Sequence, residues 1–553
     1  MQSTSQVETS HNRPSHNRTS HNHPITQSHN SFAILLLIYS GVILSHLPLL
    51  HLPYFWDEAG HYIPAAYDIY KDAAFIPHST LSNAHPPLVM AYLALTWKIF
   101  GYSPMVTRCA MLLVSAFGLL GVYRLANDVS NKKIAIASVI CVALYPVWFA
   151  QSSLALVDLA AAAFIIWGLW DYLRRRALTT ATFFTLAALA KETAIIVPLA
   201  ILLWELVQRF TQRRSSRASE GERASRDLHF ALVIPLLPLI LWFLYHHHRT
   251  GYFFGNPEFF RYNISATLDP SRIFFAALRR FWQLVGHMNL YALTIAMVAA
   301  MFLPALRDRV GKEEVERERI AIPTQVLFLV VIVAHWVVFS FIGGAVLARY
   351  MLPAIPLVII IAVSTLHRRV RYWPVVVALV CAMFVAALFV NPPYTFAPED
   401  NLAYADYVKV HQHADSYVEA KYPHSRVLTA WTATDELSKP FLGYVTKPIA
   451  VTSIEDFSFP QIQRAQQAPE TYDVALVFST KYVPKKQMWM PAFWRRAQEK
   501  YFGLHADLPP EAVAQMLGGT VVFHEDRGGQ RAAVLVFDRA RNARLFTAEA
   551  PSR

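Results

Sequence analysis

Tyr54-Phe55-Trp56-Asp57-Glu58-Ala59-Gly60-His61-Tyr62 follows the first long apolar segment, residues 32–50. Two adjacent carboxylates therefore stand among aromatic rings where a hydrophobic run ends. Aromatic rings favour the membrane–water interface, and charges avoid the hydrocarbon. This stretch makes Asp57 and Glu58 the first candidates for chemistry, set where a membrane span gives way to water. The rival reading is a solvated loop with an aromatic belt, and the rest of the chain decides between the two.

The 553 residues are 54% hydrophobic and only 16% charged, with a mean hydropathy of +0.29. A soluble globular protein carries about 25% charged residues. The balance is that of a polytopic membrane protein. The net charge of +12 is concentrated in short clusters between apolar runs, as in cytoplasmic loops. The clusters form no continuous stripe, which argues against nucleic acid as a partner. Cys109, Cys141 and Cys381 lie in apolar runs; they read as small buried hydrophobes without metal spacing or a disulfide.

Residues 1–31 repeat Ser-His-Asn units and are expected to be a disordered, low-complexity tail. The next segment has no small-residue cleavage site, so an uncleaved first span is expected. A span needs about 20 apolar residues. Candidates recur at 32–50, 104–125, 134–151, 154–171, 178–190, 192–208, 229–246, 290–306, 323–342, 351–366 and 374–391, about eleven helices. The segment 86–101 is short and flanked by His85-Pro86-Pro87; it is expected to lie on the membrane as an interfacial helix. With eleven spans and a cytoplasmic N-terminus, Lys132-Lys133, Arg174-Arg175-Arg176, Arg213-Arg214, the segment 307–319 and Arg368-Arg369 all fall inside. A twelfth span at 86–101 would push them outside, against the positive-inside rule. After residue 398, short β-rich runs alternate with helical stretches, which predicts a small α/β domain. The expected fold is thus mainly α, with a transmembrane domain at 32–391 and an extracytoplasmic α/β domain at 398–553.

This topology brings the unusual charges to one face. Asp57, Glu58 and His85 share the first outer loop. Asp158 is set in an apolar helix near its outer end. Lys191 and Glu192 occupy an outer turn, His246-His247-His248 close the seventh span, and Arg349-Tyr350 precede the tenth. Charges at membrane depth are costly and tend to be functional. A structural salt bridge between Asp158 and Lys191 is the rival for that pair, and snorkelling to the interface is the rival for Arg349. Adjacent histidines on a helix point about 100° apart and do not share one ion, so the His246–His248 run reads as an anchor. A carboxylate with cations at a membrane surface suits one reaction well. A lipid-phosphate sugar donor keeps its tail in the bilayer, its departing phosphate is stabilised by Lys or Arg, and a carboxylate takes the acceptor's proton.

Trp56-Asp57-Glu58, His85-Pro86-Pro87-Leu88, Leu156-Val157-Asp158, Leu189-Ala190-Lys191-Glu192-Thr193 and Ala348-Arg349-Tyr350-Met351-Leu352-Pro353 occur in an order that resembles the GT-C glycosyltransferase superfamily. Within it they are similar to the protein O-mannosyltransferase-like group, which includes lipid A aminoarabinose transferases and lipopolysaccharide galacturonosyltransferases. The resemblance covers roughly residues 32–390. It implies inverting transfer from a polyprenyl-phosphate sugar donor to an envelope acceptor on the outer face of the plasma membrane. It also implies Asp57 as the base, Glu58 positioning the acceptor or an ion, and Lys191 and Arg349 facing the donor phosphate. His85 and Asp158 would complete the substrate site. Use of a divalent cation stays open, since members differ. The competing classes are a transporter or flippase of lipid-linked saccharides, disfavoured by the absence of an internal repeat, and a non-catalytic scaffold.

Overall fold

In a computed structural model the described residues are 24–212, 221–264, 267–311, 313–482, 491–504 and 507–537. The chain opens with α1 (Pro24–His46), so residues 24–31 of the expected tail are helical; residues 1–23 lie outside the described residues. After the Trp56 loop come α2 (Ile63–Asp72), α3 (Leu88–Phe100), α4 (Pro104–Val129) and α5 (Lys132–Leu144). The side chain of Ser103 caps α4 by accepting from the Val106 N–H, and Asn131 caps α5 likewise. Helix α5 runs into α6 (Pro146–Ser153) through a 68° bend. Pro146 has no N–H to continue the ladder. Then follow α7 (Val157–Leu173), α8 (Ala177–Ala190), α9 (Ile196–Gln212), α10 (Gly221–Val233) and α11 (Leu236–Thr250). The basic cluster at 213–217 lies outside the described residues.

Helix α4 packs against α1, α5 and α7, and α7 packs on α8. A Cβ at Gly168 would come within 2.6 Å of the Phe184 ring; the glycine lets the α7 and α8 backbones approach, as small residues do between membrane helices. Cys141 and Cys381 are buried free thiols, their sulfurs 3.6 Å apart. Cys109 is only half-buried, contrary to the expectation of a buried hydrophobe.

Beyond α12 (Pro257–Asn263) the chain forms α13 (Pro270–Val285) and α14 (Leu290–Met301), kinked where Met288 and Asn289 take left-handed backbone angles. Helix α13 is absent from the eleven expected runs, because Arg272, Arg279 and Arg280 lower its hydropathy. A β-hairpin, β1 (Arg307–Val310) with β2 (Glu313–Glu316), occupies the segment read as a plain basic loop. Helices α15 (Ile322–Phe341), α16 (Ile355–Arg369) and α17 (Trp373–Phe389) complete the bundle. Each of the eleven apolar runs contains a helix. By length and composition six helices of the described residues can cross a membrane, or seven with the bent α5–α6 pair; α3, α8 and α17 are apolar but shorter. The protein is an integral membrane protein. The 13 residues of α3 reach about 20 Å at about 1.5 Å each, short of the roughly 30 Å hydrocarbon core.

The C-terminal part is α/β. Helix α18 (Ala403–Lys421) is followed by β3 (Val427–Ala430), α19 (Ala433–Ser438), β4 (Val451–Ile454), α20 (Phe459–Gln466) and β5 (Val474–Phe478). Helices α21 (Ala492–Phe502) and α22 (Pro510–Leu517) and strands β6 (Gly519–Arg527) and β7 (Gln530–Phe537) follow. The sheet order is β4-β3-β5-β7-β6. Strand β3 is parallel to β4 and β5, and β7 is antiparallel to β5 and β6. Strands β3 and β5 are buried along their whole length, as sheet centres covered on both faces are. Residues 538–553 lie outside the described residues. The domain is tied to the first loop: the Tyr444 hydroxyl donates to the Tyr54 carbonyl at 2.8 Å and the Tyr102 hydroxyl to the Phe441 carbonyl at 2.6 Å.

Candidate active site

The first loop reverses at Trp56, whose φ is +44°. A bulky residue with positive φ is strained, and such strain concentrates at functional sites. A π-helical turn, Glu58–Tyr62, then leads into α2. The Trp56 ring packs edge-on against Trp431, with centroids 5.2 Å apart, and against Tyr407 at 5.8 Å. Gly60 lies beneath Trp431, where a Cβ would come within 2.3 Å of the indole.

The two carboxylates of this loop part company. Glu58 is fully buried and does not line the cavity described below. Its Oε1 pairs with Arg108 Nη1 and accepts from the Ala155 N–H; its Oε2 accepts from the Phe55 N–H at 2.9 Å and Arg108 Nη2 at 3.1 Å. Arg108 also donates to the carbonyls of Pro53 and Ser153. Every lone pair of Glu58 is engaged in locking the loop to α4 and to the α6–α7 junction. The expectation that Glu58 positions an acceptor or an ion does not match this geometry: adjacent side chains leave the turn in different directions, and Arg108 claims this one.

Asp57 lines a cavity of about 740 Å³ between the bundle and the C-terminal domain. His85, Lys191 and Arg349 line it as well, so four of the expected site residues meet there. Arg349, in the turn Ala348–Met351, is buried and gathers three carboxylates. It pairs with Asp57 through Nη2, with Glu399 through Nη1, and with Asp158 Oδ2 through Nε at 3.2 Å. The last contact is an ion pair whose geometry falls short of a hydrogen bond. Asp158, at the first turn of α7, sits behind the wall rather than on it, and its Oδ1 accepts from Lys191 Nζ at 2.5 Å. The salt bridge considered for Asp158 and Lys191 is therefore present, as part of a larger network. Lys191 Nζ also stands 4.0 Å from the centre of the Tyr350 ring. His85 Nδ1 meets Glu192 Oε2 at 2.7 Å, and the His85 ring stacks on Tyr62.

Glu399 was not anticipated. It lies in Ala397-Pro398-Glu399-Asp400, after the last span, as Asp57-Glu58 lie after the first; that parallel was the available signal. Burial pushes its carboxyl up to about 8, helped by Asp57, Asp400 and Asp158 and opposed by Arg349. Arg279 and Lys481 also line the cavity, and neither makes an ion pair among the described residues. Leu239, Phe243 and Phe254 give it an apolar flank. His246 binds Ser82 Oγ at 2.8 Å and the Tyr252 carbonyl at 2.7 Å, and His247 stacks on Phe253. These two histidines anchor loops. Asp57 and Glu58 do not converge on a common metal position either, since Arg349 and Arg108 occupy them.

A sequence model of the family described as dolichyl-phosphate-mannose-protein mannosyltransferase matches residues 84–242, the segment holding His85, Asp158 and Lys191. No curated protein matches the chain in sequence. Among solved structures, ArnT from Cupriavidus metallidurans bound to undecaprenyl phosphate superposes with a TM-score of 0.52 at 15% identity, over 93% of this chain and 98% of that one. The same protein in the apo state gives 0.51 at 15% identity, over 92% and 98%. The chain shares the fold of these ArnT structures.

Proposed function

We propose that the protein transfers a sugar from a polyprenyl-phosphate-linked donor to an envelope acceptor by inverting displacement at the outer face of the plasma membrane. The observation that carries this reading is a carboxylate, Asp57, on the wall of a cavity that cations and an apolar set of side chains also line. The likeness to an ArnT structure that binds undecaprenyl phosphate supports the donor class.

Asp57 takes the proton of the acceptor hydroxyl or amine as that atom attacks the anomeric carbon. The bond between that carbon and the phosphate oxygen breaks, and the lipid phosphate leaves with the electron pair. Lys191, Arg279 and Lys481 face the developing charge. Arg349, already shared among three carboxylates, holds Asp57 in place, and Glu58 with Arg108 holds the backbone beneath it. The apolar flank receives the prenyl chain. His85, tied to Glu192 beside Lys191, lines the same cavity. The domain at 398–553 closes the cavity toward the acceptor and stands outside the membrane, and the basic turns stand in the cytoplasm.

Lys191→Ala is expected to raise the apparent KM for a polyprenyl-phosphate sugar by about 10-fold or more, the worth of one charge-assisted hydrogen bond, with less effect on the acceptor. An unchanged donor KM with a weakened acceptor KM would overturn the assignment. Orientation is tested with an impermeant thiol reagent on cells or spheroplasts. Ser79→Cys and Lys447→Cys should label from outside and Arg369→Cys should not. The reverse pattern inverts the topology and removes the shared face on which the reaction depends.

A further inference from the structure

Behind the cavity wall, the C-terminal domain holds a cluster with no part in the chemistry above. His411 and Asp415 sit four apart on α18, which places them on one face of the helix. Glu436 of α19 faces them. One ligating atom from each lies within 4.8 Å of the other two. All three residues are buried, Asp415 and Glu436 completely. His411 Nδ1 meets Glu436 Oε2 at 2.6 Å. Neither carboxylate oxygen of Asp415 has a hydrogen-bond partner, although both are buried. An unpaired buried carboxylate is among the most costly groups a fold can contain. Burial, then Glu436 and Glu419, push the Asp415 carboxyl well above its usual range.

We propose that His411, Asp415 and Glu436 form a structural site for a divalent transition-metal ion, zinc fitting the donor set first. One imidazole nitrogen, one oxygen of Glu436 and the two free oxygens of Asp415 supply four donors of the kind zinc accepts. Two carboxylates and a neutral imidazole balance a charge of +2, so the buried cluster becomes neutral. The ion replaces the proton between His411 and Glu436, which opens that short contact. The surrounding groups already orient the ligands. Thr432 Oγ1 donates to the other oxygen of Glu436 at 2.9 Å, and the Tyr407 hydroxyl stands 3.1 Å from Thr432 Oγ1. Such outer contacts fix ligating carboxylates in metal sites. The Tyr407 ring also stacks on His411 with centroids 3.9 Å apart. Since Tyr407 and Trp431 line the cavity, the ion clamps α18 to α19 and holds the outer wall of the cavity in shape.

The test is metal content by mass spectrometry of the full chain, purified in detergent, as wild type, Asp415→Asn and His411→Gln. The His-rich N-terminus is the same in all three, so any metal it takes up cancels and the difference is what is read. The variants should each carry one fewer equivalent of zinc than wild type. Chelation should lower the wild-type melting temperature, and added zinc should restore it, with no such response in Asp415→Asn. If a variant fails to fold, a cobalt titration of the chelated wild type still decides: tetrahedral N/O binding gives strong visible absorption that zinc displaces at one equivalent. Equal metal content in wild type and variants, or a wild-type melting temperature and cobalt spectrum indifferent to chelation and zinc, overturns the proposal. In that case Asp415 keeps a proton instead.

Discussion

Asp57-Glu58 and Glu399-Asp400 are two pairs of adjacent carboxylates that flank the membrane domain in sequence, and they are wired alike. One member of each pair, Asp57 and Glu399, goes to Arg349. The other turns inward to a private base: Glu58 to Arg108, and Asp400 to His287 Nε2 at 2.9 Å. The pairs differ in access. The Asp57 side chain is 21% exposed and that of Glu399 only 5%. Both carboxylates line the cavity, and the same guanidinium joins one that is open to it to one that is nearly buried. Adjacency in sequence does not confer a shared role; what each side chain meets does.

The comparison breaks most visibly at Asp57. Asp57→Asn keeps the shape but takes no proton at neutral pH, and turnover should fall by about 10²–10⁴-fold with the melting temperature unchanged. Near-normal turnover would move the base elsewhere in the network, with Glu399 the next candidate. Glu58→Ala should do the opposite, leaving Arg108 buried and unpaired at a cost of about 3–5 kcal/mol. Thermal unfolding in detergent reads this; full stability with lost turnover would return Glu58 to the chemistry. Asp400→Ala is milder, because an imidazole, unlike a guanidinium, carries no obligatory charge, and about 1–3 kcal/mol is expected for the orphaned partner. A loss equal to that of Glu58→Ala would erase the distinction between the two private bases.

The smallest effect concerns Glu399 and pH. Its carboxyl is raised from an ordinary value of 4.5 to about 8 in the fold. Between those values the folded protein holds a proton that the unfolded chain has lost. Stability is therefore highest below about 4.5 and falls as pH rises toward about 8. Glu399→Gln cannot ionise and should lose this component. Its melting temperature, relative to wild type, should climb from acidic to alkaline buffer. A difference that stays constant across that range would mean that Glu399 is already ionised at neutral pH.

Much of this arrangement was legible in the chain. Trp56-Asp57-Glu58 after an apolar run placed the candidate base, and each of the eleven apolar runs holds a helix. The β-rich runs after residue 426 became the strands of the C-terminal sheet. Helix α13 was not legible, because Arg272, Arg279 and Arg280 conceal its apolar face. Those arginines are satisfied by loop carbonyls, as Arg272 is by Gly343 and Gly344, or turn to the cavity, as Arg279 does. Hydropathy counts charge and is blind to such partners.

The sequence by itself determined the membrane class, the helical runs and the set of charged residues, because hydrophobic length and charge placement are local properties of the chain. Only the tertiary structure decided which charge does what. Arg349 acquires partners 292, 191 and 50 positions away, and Glu58 acquires one 50 positions away. At such separations nothing in the local pattern says that Asp57 will open onto the cavity while Glu58, one residue on, is closed against Arg108. That choice comes from how α4, α7 and the Arg349 turn pack, where each buried charge must find its counterpart.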